Sequence, residues 1–208
     1  KAACQEVEEY LISLGFSAIA LHGDLDQRSR EQVLIQFANK SRAILVATDV
    51  AARGLDIKEL DAVINYQITP DAEVHIHRIG RTGRAGEKGL AVTLVALNEM
   101  YRANAIEDYQ KTPIVWRTLN DLTVNTANIA VPPMQTVCLA VGKKNKIRPG
   151  DILGALTKDA GLSGEKIGKI NVTDLYSYVA IARNSTKQAL DYLRQGKIKG
   201  KGVRARRL

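Results

Sequence analysis

Arginine recurs at every third position in the stretch His75-Ile-His-Arg-Ile-Gly-Arg-Thr-Gly-Arg-Ala-Gly86. It supplies Arg78, Arg81 and Arg84, interleaved with Gly80, Gly83 and Gly86. At the start of a helix this spacing lines one face with guanidinium groups. Each group is permanently charged and matches phosphate oxygens as a two-pronged fork. The glycines let backbone come close to a ligand. A row of such forks is what a phosphoryl-transfer site needs to stabilise charge on a transferring γ-phosphate. For an isolated R-x-x-R pair the competing reading is a solvated basic turn.

Other reactive residues are few. His75 and His77 are two apart, so on a helix they point in different directions, and no cysteine or third histidine lies near them in sequence. A metal site is not expected. Cys4 and Cys138 are the only cysteines and lie far apart in the chain. They read as buried free thiols, which suits a reducing cytoplasm. No apolar run approaches membrane-spanning length, the first residues have no signal-peptide pattern, and no membrane partner is expected.

Net charge is +8, but it is unevenly spread. Residues 1–130 hold 14 Lys+Arg against 17 Asp+Glu, a balance of −3; residues 131–208 hold 16 against 5, a balance of +11. The asymmetry points to two domains, the second built for a polyanion, with a merely soluble basic surface as the alternative.

The elements that position these residues follow from periodicity. Residues 3–14 and 29–37 carry helical spacing, and 18–21, 43–48, 62–65 and 90–97 are short apolar runs. Residues 71–79 read as a helix behind Pro70, and Asn98 is a candidate cap for the helix that follows 97. Alternating strands and helices predict a parallel α/β sheet with helices on both faces. Ligands of such sheets sit beyond the C-terminal strand ends, where Thr48-Asp49 falls. Trp116 reads as packing. The polar stretch 124–133, closed by Pro132-Pro133, reads as a linker. Beyond it the order is β-α-β-β-α-β over 134–208, a small α+β domain whose open sheet face is a common platform for single-stranded RNA.

Three motifs occur in order: His22-Gly-Asp-Leu-Asp-Gln-Arg-Ser-Arg30, Ala47-Thr-Asp-Val-Ala-Ala-Arg-Gly-Leu-Asp-Ile57 and His77-Arg-Ile-Gly-Arg-Thr-Gly-Arg84. Together they resemble the second RecA-like domain of a DEAD-box RNA helicase, over residues 1–123. The resemblance implies that Arg81 and Arg84 are catalytic, reaching the γ-phosphate of ATP across an inter-domain cleft. Gly54 and Asp56 join them in holding the nucleotide, and His77 and Arg78 couple the nucleotide cleft to the rest of the domain. Gly23, Gln27, Arg30 and Thr48 match contacts to the RNA sugar-phosphate backbone, a role their chemistry suits without reading bases. Asp24, Asp26 and Arg28 read as solvated surface.

No G-x-x-x-x-G-K-[ST] loop and no Asp-Glu-Ala-Asp box occur in the 208 residues. The family's first RecA-like domain, which holds Mg2+, is then a partner, and the chain alone is expected to be inactive and to hold no intrinsic cofactor. It reads as an N-terminally truncated second domain, opening inside a helix.

Gly142-Lys-Lys-Asn-Lys-Ile-Arg-Pro-Gly-Asp-Ile-Leu-Gly-Ala-Leu156 and Gln195-Gly-Lys-Ile-Lys-Gly-Lys201 are similar to the accessory RNA-recognition (RRM-like) domain of the DbpA-type branch. That resemblance implies a 23S-type ribosomal RNA hairpin as target and a role in ribosome assembly. Lys143, Lys144, Lys146 and Arg148 precede an expected helix start, a favourable place for phosphate. Tyr176 and Tyr178 alternate and so share a strand face, either stacking bases or packing into the core. Lys197, Lys199 and Lys201 also alternate, as an RNA-binding or a solvated strand face. The tail Arg204-Ala-Arg-Arg207 is left as backbone-binding or disordered. The competing function is a non-catalytic RNA-binding scaffold.

Overall fold

A computed structural model describes residues 2–52, 57, 60–83, 88–123 and 128–208. In chain order the elements are α1 (Ala2–Ser13), β1 (Ala18–Leu21), α2 (Gln27–Ala38), β2 (Ile44–Ala47), α3 (Asp49–Ala52), β3 (Ala62–Asn65), α4 (Ala72–Ile79), β4 (Leu90–Thr93), α5 (Met100–Gln110), β5 (Met134–Leu139), α6 (Pro149–Gly154), β6 (Ile167–Val172), β7 (Ser177–Ala182), α7 (Thr186–Gln195), β8 (Lys197–Ile198), β9 (Lys201–Gly202) and β10 (Ala205–Arg207). They form two compact units, one of residues 1–53 with 125–208, the other of 54–124.

In the first unit β1 and β2 pair in parallel, Ala18 against Ile44 through Leu21 against Ala47, with α2 as the crossover. Helix α2 starts where Asp26 accepts from the Ser29 backbone N–H at 2.8 Å. That bond holds the Asp26 carboxyl below its usual range. Helix α1 lies on the pair and buries Cys4, whose thiol donates to Val46 O at 3.2 Å.

The second half of this unit is a four-stranded antiparallel sheet in the order β10-β5-β7-β6. Its βαββαβ order is the expected one, with a short hairpin, β8–β9, inserted before the last strand. Alternation sends Val137, Leu139, Val179 and Ile181 to one face, where they pack on Ile152, Leu156, Ala189 and Leu193. Thr136 and Tyr178 face the other way and are also buried. Helix α2 and the turn after it cover them. Asn39 Nδ2 donates to Thr136 Oγ1 at 3.1 Å, and the Ser41 and Thr136 hydroxyls are 2.7 Å apart. The tail is ordered: Ala205–Arg207 pairs with Val137–Leu139 as an edge strand, so the disordered alternative for 204–207 is ruled out.

In the second unit β3 and β4 pair in parallel around α4. Asp71 caps α4 by accepting from Glu73 N and Val74 N. Ile68, Ala103 and Ile106 form its core with Ala72, Val95 and Ile114. Two expectations fail here. Asn98 lies in a single turn, Leu97–Glu99, ahead of α5 and makes no cap bond. Trp116 is exposed rather than packed.

Candidate nucleic-acid interface

Gly23, Gln27, Arg30 and Thr48 come together beyond the C-terminal ends of β1 and β2. Thr48 N donates to Leu21 O at 3.2 Å, which locks the two strand ends side by side. Gly23 lies in the loop between β1 and α2 and is exposed, and Gln27 opens α2. One guanidinium nitrogen of Arg30 donates to Ala51 O, tying α2 to α3 and leaving the group's other donors for a ligand. This edge presents an arginine, an amide, a hydroxyl and a bare backbone, a donor set for phosphate and ribose oxygens.

The arginine run sits at the end of a helix, not at a helical start. Arg78 is in the last turn of α4, and Arg81 is in the turn after it. Arg78 donates to Asn65 Oδ1 at 3.2 Å and to Gln67 O at 3.0 Å, so it is fixed to the end of β3. The backbone around Arg81 is clamped: Leu60 N donates to Arg81 O at 3.2 Å, and the Thr82 hydroxyl donates to Leu60 O. Gly83 follows at φ 64, a conformation that favours glycine. The two histidines do diverge. His77 is exposed and sits 3.5 Å from the Glu73 carboxylate, whereas His75 is buried. Burial, then the nearby Arg78 charge, push the His75 pKa down. Gly54, Asp56 and Arg84 lie outside the described residues.

Lys143, Lys144, Lys146 and Arg148 are all exposed on one loop. Lys143 N and Lys144 N donate to Thr173 O and Asp174 O at 2.8 and 3.0 Å, which seats the loop on the β6–β7 turn. Gly142 makes this possible, because a Cβ there would run into Thr173 O and Asp174 O. The expected phosphate seat at the following helix start is weaker than its sequence suggests. Helix α6 is short, and Asp151 already accepts from Arg148 N at 2.8 Å.

The lysine triplet is not one strand face. Lys199 and Gly200, at φ 51 and 76, form the two-residue turn of the β8–β9 hairpin. Lys197 lies opposite Gly202 and Lys201 opposite Ile198, so those two lysines face opposite sides. Lys199 turns back to the basic loop, donating to Lys146 O at 3.1 Å with Asp151 at 3.7 Å.

The tyrosines do not form an open stacking platform. Tyr178 is fully buried, with its hydroxyl 3.4 Å from Gln32 Nε2, and burial raises its pKa. Tyr176 lies just before β7 with the Arg28 guanidinium over its ring at 4.0 Å. Arg28 and Asp26 are exposed, as expected of surface residues, although Arg28 also covers the Tyr176 ring and Asp26 caps α2. Sequence reasoning missed Gln32, Asn39, Ser41 and Thr136; the small, polar Thr136, placed where a stacking platform would carry a large side chain, was the available signal.

Among the described residues no group of three or more His, Cys, Asp or Glu is placed to hold a metal ion, and no helix is long and apolar enough to cross a membrane. Both cysteines are free and buried.

Comparison with known proteins gives this geometry a setting. The helicase conserved C-terminal domain matches residues 1–86, and the DbpA RNA binding domain matches 136–207. The chain is 49% identical to the ATP-dependent RNA helicase DbpA of Escherichia coli K12 over its whole length, covering 45% of that protein. The chain is thus similar, over its whole length, to part of a DEAD-box RNA helicase of the DbpA type. The Bacillus subtilis 168 protein of the same name is 32% identical over 98% of this chain and 47% of its own length. The chain thus spans about half the length of these relatives. A solved DEAD box protein from Methanococcus jannaschii aligns with a TM-score of 0.52 at 43% identity, over 54% of this chain and 31% of that one. The first part of the chain has the RecA-like fold of a DEAD-box C-terminal domain, and an antiparallel α+β domain follows it.

Proposed function

We propose that this chain supplies the closing half and the RNA-targeting module of an ATP-dependent RNA helicase acting on structured RNA, specifically a large-subunit ribosomal RNA hairpin during ribosome assembly in the cytoplasm. The helicase half spans 1–123, the linker 124–133 and the targeting domain 134–208. The observation that carries the reading is the ordered presence of both matched domains on one chain. The geometry supports it. A clamped backbone fixes the point from which the Arg81 side chain extends, and a guanidinium there suits developing phosphate charge. The strand-end edge of Gly23, Gln27, Arg30 and Thr48 suits an RNA backbone. The two free thiols favour a reducing compartment.

Among the described residues Arg81 suits the phosphates of ATP, with Arg84, Gly54 and Asp56 assigned by family resemblance. Mg2+ has no fitting acidic cluster among the described residues. In this reading the ion and the phosphate cradle belong to a partner RecA-like domain. The test is RNA-stimulated ATP turnover. The 208-residue chain alone is expected to show none. In the full-length protein, Arg81→Ala is expected to lower kcat by ~10³-fold, with RNA affinity of the targeting domain unchanged. Wild-type turnover by that variant would leave the scaffold reading in its place.

A further inference from the structure

We propose a second polyanion site on the targeting domain, a cleft between α7 and the β5–β10 edge that takes RNA phosphates. The cleft has a volume of about 530 Å³ and is lined by Arg183, Lys187, Arg194 and Arg207, with Gln135 among its polar groups and Asp191 as its one carboxylate. Arg183 stands just before α7, and Lys187 and Arg194 fall four and eleven residues later. Lys187 and Arg194, seven residues apart, share one side of α7, and Arg183, in the single turn before it, lines the same cleft. Arg207 faces them from β10, the edge strand beside β5. Arg183 is already oriented, donating through Nε to Pro132 O at 2.8 Å; its remaining donors serve a ligand. Four cations against one acid in a concave site concentrate positive potential where a phosphate would sit. Guanidinium forks suit its oxygens.

The cleft is separate from the basic loop. It adjoins Gln135 at the start of β5, whereas Lys143 and Lys144 follow the end of that strand. Six strand residues put the two sites on the order of 20 Å apart. One structured RNA that engages both must lie along the domain. A short single strand would reach only one.

This inference rests on the RNA-targeting reading above, and the experiment separates the two. A fluorescein-labelled hairpin RNA and an oligouridine are titrated by anisotropy into the 208-residue chain at several salt concentrations. The variants are Lys187→Glu/Arg194→Glu, its neutral counterpart Lys187→Gln/Arg194→Gln, and Lys144→Ala, each checked by its thermal unfolding profile. The charge-reversed pair should lose about tenfold or more in hairpin affinity, and the neutral pair less. The neutral pair's salt slope should shrink by roughly 1.5 log units per log unit, the yield of two phosphates. Unchanged affinity in both folded pairs, with Lys144→Ala still weakening binding, overturns the cleft and spares the reading. Failure of the wild-type chain to bind either RNA overturns both. Polyglutamate displacing no RNA yet binding the cleft would reassign it to an acidic protein and overturn the proposal.

Discussion

Tyr178 shows what burial does to a residue chosen for its ring. A tyrosine that stacked on bases would be lost from RNA binding and little else. A tyrosine under α2 is instead a packing residue. Tyr178→Ala should therefore destabilise the fold by about 3–5 kcal/mol, the range for emptying a buried aromatic site. Tyr178→Phe, which removes only the long bond from Gln32, should cost at most about 1 kcal/mol. Urea unfolding of both variants checks this, and a Tyr178→Ala variant as stable as the wild type but weaker in RNA binding would restore the stacking role. His75 offers a second test at this scale. Its Nδ1 is buried without a hydrogen-bond partner among the described residues, and its folded pKa lies below the ordinary value of 6.5. The unfolded chain therefore binds the proton more readily. The contribution is fully present above pH ~6.5 and is lost as pH falls through the window below it. Unfolding midpoints measured between pH 5 and 7.5 should fall on acidification, and His75→Gln should flatten that dependence. An unaltered profile in the variant would point to other groups.

The crossover units were legible in the sequence because apolar runs and helical spacing agree on them; the helix-capping acids emerge only from the structure. Asp26 and Asp71 each stand just before a helix they cap. A last strand was expected between 197 and 208, but its place at the tail was not legible. Arg204-Ala-Arg-Arg207 has no apolar alternation, and its pairing is set by β5 rather than by its own residues. Alternating lysines at 197, 199 and 201 imitate a strand face, yet a Lys-Gly pair with positive φ at both residues makes a turn there. The site was half legible for a related reason. Motifs name the residues that meet phosphate, but nothing in residues 134–182 names the helix that covers their sheet. That helix–sheet contact is itself testable. Thr136→Val strands the Asn39 amide and the Ser41 hydroxyl in a buried place, at a cost of about 2 kcal/mol. Adding Asn39→Ala to Thr136→Val should cost less than the two single changes summed, because they share one bond. Strict additivity in chemical unfolding would mean that the bond contributes nothing.

At the scale of the whole molecule the decisive property is the division of charge, +11 over residues 131–208 against −3 before them. Counterion release should make RNA binding fall by roughly 0.7–0.9 log units per log unit of salt for each phosphate neutralised. Lys144→Ala should flatten the slope by about one phosphate and lower affinity for all RNAs alike. Preference for a folded RNA must come from shape and exposed loop bases, since charge is blind to sequence. Equal affinity for hairpin and random RNA in the wild-type chain would reduce the domain to a general basic anchor.

The hydroxyl and amide cluster of Asn39, Ser41 and Thr136 also bears on how such a protein can be inherited or rebuilt. A targeting domain that keeps part of its sheet buried against α2 is not a freely exchangeable cassette. Moving residues 134–208 onto a foreign motor would uncover Thr136 and Tyr178 unless the recipient carried matching groups in the corresponding helix. Lineages that alter position 136 should alter 39 or 41 with it, so these three sites should drift as one character across descendants.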